Sequence, residues 1–132
     1  MLGWVFNRKK LLKDHKLLGK WGEKRSRKYL MRKGFHYLAD NQSFKTGELD
    51  LVMLDREGTV VFVEVKTRAG EDFSSAESAL TGVKRTRLTR AARSFLVANS
   101  LTERPCRFDL ITIILGKTGE PDIRHYQNAF SP

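Results

Sequence analysis

Glu48, Asp50, Glu64 and Lys66 interrupt two otherwise apolar runs within GELDLVMLDREGTVVFVEVKTR, residues 47–68. Paired carboxylates are the ligands that hard divalent cations such as Mg2+ prefer, and a neighbouring lysine can orient a water or help remove its proton. The chemistry open to this set is metal-assisted hydrolysis, with a phosphodiester as the natural electrophile.

That chemistry needs the strands to bring the four side chains together. Strand side chains alternate, so Glu64 and Lys66 share a face with Val60 and Phe62. A three-residue hairpin loop of Arg56, Glu57 and a left-handed Gly58 sets Asp55 opposite Thr59, Asp50 opposite Glu64 and Glu48 opposite Lys66. Cross-strand partners stand about 5 Å apart at Cβ, so all four groups are expected at one end of one sheet face. Two facing carboxylates repel, and desolvation worsens the repulsion, so a cation must neutralise them. Lys66 offers one charge and a metal ion another. A lone acid and base across two strands is ordinarily a solvated surface ladder. Here several charges share one face of apolar strands, with strongly basic segments on either side.

The flanking sequence supplies the remaining elements. Leu18, Trp21, Tyr29 and Leu30 recur at helical spacing and are followed by Arg32, Lys33 and Gly34, which predicts a helix over 17–33. FHYLADNQSF reads as a strand with Phe35, Tyr37 and Ala39 on one face. The hairpin strands are expected at 48–54 and 59–67. A second helix carries the stripe Val83, Leu88, Ala91, Ala92, Phe95 and Leu96, with Thr81 as N-cap or Ser74 or Ser75 as an earlier one. CRFDLITIIL is a near-continuous apolar strand, and a short strand follows around 123–126. The order α, β, β, β, α, β, β predicts an α/β domain with a mixed sheet.

The 132 residues suit one domain, with a basic N-terminal lead over 1–16. The single Cys106 forms no internal disulfide, and too few apolar residues precede the first charges for a signal peptide or membrane span, so a cytoplasmic protein is expected. An alternative makes Leu2, Trp4, Val5 and Phe6 an interfacial anchor. The net charge is +10, and residues 8–33 hold 12 Lys or Arg against Asp14 and Glu23, whereas 13 basic and 13 acidic groups balance from Gly34 onward. Such a segregated basic block attracts polyanions, nucleic acid foremost. His15, His36 and His125 lack metal-ligand spacing and are expected at surfaces or turns, while Trp21 and Phe95 fit core stripes.

GELDLV followed by VFVEVKTR, with 13 residues between Asp50 and Glu64, resembles the core motif of the PD-(D/E)XK nuclease superfamily. More narrowly, WGEKRSRKYLMRKGF, GELDLV, FVEVKTR, KRTRLTRAARSFL, RFDLITI and NAF, in that order, resemble the YraN family of small bacterial proteins. The resemblance implies a restriction-endonuclease-like core, a mixed β-sheet flanked by helices, and a relation to Holliday-junction resolvases. It implies metal-binding roles for Asp50 and Glu64, the motif lysine at Lys66, and an acidic contact from the first helix at Glu23. Glu48 becomes a further ligand or the partner of Lys66. Leu49 stands where the motif has proline, a position commonly replaced.

The expected function is a Mg2+- or Mn2+-dependent nuclease acting on DNA, branched or structured DNA included, with a homodimer as one possible assembly. Lys20, Lys24, Arg25, Arg27 and Lys28 on the first helix, with Arg68, Lys84, Arg87 and Arg90, are candidates for phosphate contacts. The alternatives are a non-catalytic nucleic-acid-binding protein and an accessory subunit that meets its partner through Phe130 and the C-terminal tail.

Overall fold

A basic run opens the structure as a short helix, α1 (Arg8–Lys13), capped by Asn7, and breaks at Asp14. Asp14 then caps α2 (His15–Arg32), its Oδ1 accepting the N–H groups of Lys16 at 3.0 Å and Leu17 at 3.2 Å. The basic lead is therefore partly helical, and α2 starts two residues before the expected Leu17. The computed structural model describes residues 7–70 and 80–132, so Leu2, Trp4, Val5, Phe6, Ser74 and Ser75 lie outside the described residues.

α2 stops at the expected glycine. Gly34 adopts φ +96°, Phe35 N–H bonds back to Leu30 O at 3.1 Å, and Gly34 N–H bonds to Met31 O at 3.0 Å. This paired reversal satisfies the last carbonyls and packs Phe35 beside Leu30 in the same core cluster.

Five strands follow: β1 (His36–Phe44), β2 (Gly47–Leu54), β3 (Val60–Arg68), β4 (Cys106–Ile114) and β5 (Asp122–Phe130). They form one mixed sheet in the order β1-β2-β3-β4-β5, antiparallel except where β3 and β4 run parallel. α3 (Gly82–Ala98) lies in the connection between those parallel strands, as a crossover requires. Thr81 caps it, Oγ1 accepting Lys84 N–H at 3.3 Å.

Each face of the sheet buries its own core. Leu51, Met53, Val61, Val63, Ile111 and Ile113 meet Leu30 of α2, while Val52, Val60, Phe62, Phe108 and Leu110 meet Leu88, Ala91, Ala92 and Phe95 of α3. The mixed α/β sheet flanked by helices is the architecture implied by the sequence.

Four expectations need correction. The β1 register shifts between Tyr37 and Ala39, so Phe35 packs on the α2 side while Ala39 packs toward α3, and the three residues share no face. Val83 is 65% exposed rather than part of the core stripe, because it precedes the turn of α3 that first meets the sheet. β5 is nine residues long. Phe130 is buried, stacked on Phe108 with ring centroids 4.6 Å apart, and so offers no surface for a partner.

Candidate active site

The hairpin closes as its loop chemistry dictates. Gly58 takes φ +86°, and Asp55 N–H donates to Thr59 O at 3.0 Å. Its register carries Leu54, Met53, Val52 and Leu51 against Val60, Val61, Phe62 and Val63, and the paired ladder ends there. Beyond it β2 stays with β1, where Glu48 pairs with Ser43, and β3 stays with β4 through Arg68. Asp50 and Glu64 sit at the mouth of this fork.

Asp50 occupies the gap in the ladder. Its Oδ2 accepts the N–H of Val65 at 3.0 Å, a main-chain donor on the side of β3 that β2 no longer pairs. Glu64, 8% exposed, lies against the Asp50 carboxylate. Burial first, and then the charge of Asp50, push the Glu64 carboxyl up to about 8. The register thus brings Asp50 and Glu64 together as expected.

The ion pair to Glu64 comes from Lys84, in the first turn of α3, whereas the sequence assigned that neutralising charge to Lys66. Packing of α3 on the Phe62 side of the sheet places Lys84 over the Glu64 face, which the hairpin pattern alone could not encode. Burial favours a protonated Glu64 and the ion pair with Lys84 favours an ionised one. Burial and Asp50 outweigh Lys84, so Glu64 stays raised to about 8 with that cation against it.

Lys66 follows on β3, half-buried. Burial, then the charges of Arg68 and Lys84, lower its pKa. Glu23, half-buried on α2, is raised by burial and next by Asp50, an effect opposed by a hydrogen bond from Asn41. Glu23 thus feels the site across the fork. Asn41 is a member the sequence reading missed: it takes the left-handed conformation at φ 47° within β1, which asparagine tolerates. Glu48 is exposed, and the β2–β3 ladder ends before it could stand opposite Lys66.

The candidate phosphate contacts divide between the two helices. Lys20, Lys24 and Lys28 are exposed on α2, whereas Arg25 and Arg27 are half-buried, their guanidinium groups 5.8 Å from the Trp21 ring centre and 5.0 Å from that of Tyr37. Arg68, Arg87 and Arg90 are exposed on the side of β3 and α3.

A second polar cluster went unseen in the sequence. Asp109, 1% exposed in β4, accepts Asn128 N–H at 2.9 Å, Arg107 Nε at 3.0 Å, and pairs with His125 Nε2 at 2.8 Å. Arg107 also reaches Asp55 at 2.8 Å. Burial would raise the Asp109 pKa, but the hydrogen bonds from His125 and Arg107 hold it below the usual carboxylate range. The His125 side chain is 2% exposed against Tyr29 and Phe35, which corrects its expected surface position: its register opposite Ile111 turns it to the α2 side of the sheet. The signal available was the lone acid in CRFDLITIIL, since a buried carboxylate demands partners.

Residues 22–113 match the model of "Uncharacterised protein family UPF0102". The chain belongs to the UPF0102 family. A UPF0102 protein of Pelotomaculum thermopropionicum is 40% identical over 116 residues, covering 87% of this chain and 96% of that one. One from Trichlorobacter lovleyi is 36% identical, covering 89% and 93% respectively. One from Corynebacterium efficiens is 43% identical over 101 residues, covering 76% and 80%. The expected YraN-family membership is borne out by these matches. Among solved structures, Pyrococcus furiosus SfsA in complex with Ca2+ aligns with TM-score 0.40 and 16% identity, over 86% of this chain and 64% of SfsA. Among the described residues of this UPF0102 protein, no helix is long and apolar enough to cross a membrane.

Proposed function

We propose that this UPF0102 protein is a divalent-metal-dependent nuclease that hydrolyses phosphodiester bonds in nucleic acid, with DNA the favoured substrate and branched DNA among its forms. The observation that carries the reading is the Asp50–Glu64 carboxylate pair, brought together at the mouth of a fork in the sheet with Lys84 paired to Glu64.

The donor set suits a hard cation. Asp50 and Glu64 are oxygen donors whose mutual repulsion a divalent ion relieves, and Glu23 is raised by burial and then by the same Asp50 charge. Mg2+ or Mn2+ would be held by Asp50 and Glu64, whereas Glu23 and Glu48 form no three-acid cluster with them among the described residues. When bound, such an ion supplies Lewis-acid polarisation of a phosphoryl oxygen. The chain does the rest. Lys66, its pKa lowered by burial and by Arg68, is suited to hold or pass the proton of an attacking water. Arg68 presents an exposed guanidinium two residues on, fit for bidentate contact with a phosphate. α2 and α3 bring basic side chains along opposite faces of the sheet toward its flanks. Cutting both strands of a branched substrate would call for two such sites, and hence a homodimer.

Asp50→Ala and Glu64→Ala are expected to abolish Mg2+- or Mn2+-dependent cleavage while leaving duplex or junction binding within a few-fold of wild type. If wild type cleaves neither DNA nor RNA with either metal, or the variants cleave as well as wild type, the reading is wrong. One observation favours a non-catalytic nucleic-acid-binding protein instead: among the described residues, no group of three His, Cys, Asp or Glu is already arranged around a metal-sized space. On that reading, binding is salt-dependent and indifferent to metal.

A further inference from the structure

The Lys84–Glu64 ion pair has one fixed end and one loose end. Glu64 projects from β3 with 9% of its side chain exposed, whereas the Lys84 side chain is 48% exposed. The acid is held by the sheet; the lysine, a point charge on a flexible four-carbon stem, can swing into solvent without disturbing the core. Its own helix offers no competing acid, since α3 carries Lys84, Arg85, Arg87, Arg90 and Arg93 and no Asp or Glu. Lys84 and Arg68 both repel the Lys66 ammonium, so the cation paired to Glu64 lies within reach of two others. Two kinds of ligand therefore meet at Lys84: a metal ion competes with it for Glu64, and a phosphate competes with Glu64 for it.

We propose that Lys84 is an exchangeable cation of the active site, paired with Glu64 in the metal-free protein and passing to a phosphate of the nucleic acid when a divalent ion takes its place. The inference rests on the metal-dependent reading above and adds a coupling to it. Metal binding frees a phosphate ligand and phosphate binding frees a metal ligand, so each tightens the other by the same factor.

The test measures Mn2+ affinity by the disappearance of the free-ion paramagnetic resonance signal, for wild type, Lys84→Met and Lys84→Arg, at a pH above the value of about 8 to which Glu64 is raised. Each protein is titrated alone and with a phosphorothioate DNA duplex that resists cleavage. Without DNA, Lys84→Met is expected to bind Mn2+ about 5-fold or more tighter than wild type, with Lys84→Arg close to wild type. With DNA, wild type gains a comparable factor and Lys84→Met gains little. A Lys84→Gln variant repeats the comparison, and unchanged circular dichroism melts establish that each protein is folded. Equal Mn2+ affinity of wild type and Lys84→Met without DNA overturns this inference alone. Failure of every protein to bind Mn2+ overturns the metal-dependent reading and this inference with it.

Discussion

Glu64 answers to burial, to Asp50 and to Lys84 at once, and that makes it the most informative titrating group in the chain. Because its pKa is raised from 4.5 to about 8, the folded protein holds this proton more tightly than the unfolded chain does. Its contribution to stability is complete below about pH 4.5 and declines as pH rises toward 8. Glu64→Gln mimics the protonated acid and removes the decline. Thermal unfolding should show the variant level with wild type near pH 5 and on the order of 5 °C more stable at pH 8. Parallel pH profiles for the two proteins count against the raised carboxyl. Asp50 and Glu64 were legible in the sequence because two simple rules, alternation and hairpin register, bring them together. Lys84 was legible only as a basic residue, since its partner is decided by how α3 settles on the sheet. Asp109 and His125 were hidden for a related reason: their partnership depends on the β4–β5 register, which no local pattern fixes.

Gly22 lets α2 lie close against β3. A Cβ there would stand 1.9 Å from Thr67 Oγ1 and 2.9 Å from Thr67 Cβ, both in a buried interface. Gly22 precedes Glu23, so the same close approach sets how near that acid comes to Asp50. Gly22→Ala should destabilise by about 1–3 kcal/mol, as overpacking does. Thr67→Ala in the same chain should recover part of that stability, and a denaturant double-mutant cycle measures the non-additivity. Strict additivity of the two changes means that the helix and strand do not meet here. The helices and hairpin strands were readable from periodicity and from stop signals such as Gly34 and Gly58. The bulge in β1 was not, because the pattern Phe35, Tyr37, Ala39 looks regular until the backbone inserts a residue. α1 was missed since a run of lysines hides Leu11, its one buried side chain.

Charge is partitioned across the molecule: the surplus of ten lies within residues 8–33, on α1 and α2, and the rest of the chain is balanced. If α2 tracks a nucleic-acid backbone, Lys20→Ala, Lys24→Ala and Lys28→Ala together should weaken binding at all sequences alike. The slope of log K against log salt should shrink by about 1 for each phosphate that the triple variant no longer neutralises. An unchanged slope in anisotropy titrations would place the polyanion elsewhere. At the other end of the sheet, the carboxylate of Asp109 draws its partners from Arg107, His125 and Asn128, and through Arg107 it is tied to Asp55. A charge buried without those partners is costly. The final packing of β4 therefore depends on β5, which carries two of the donors that make burial of Asp109 tolerable. The buried acid thereby ties the hairpin, through Asp55 and Arg107, to the edge strand at Asn128, so the sheet is expected to lose its far edge and its centre together.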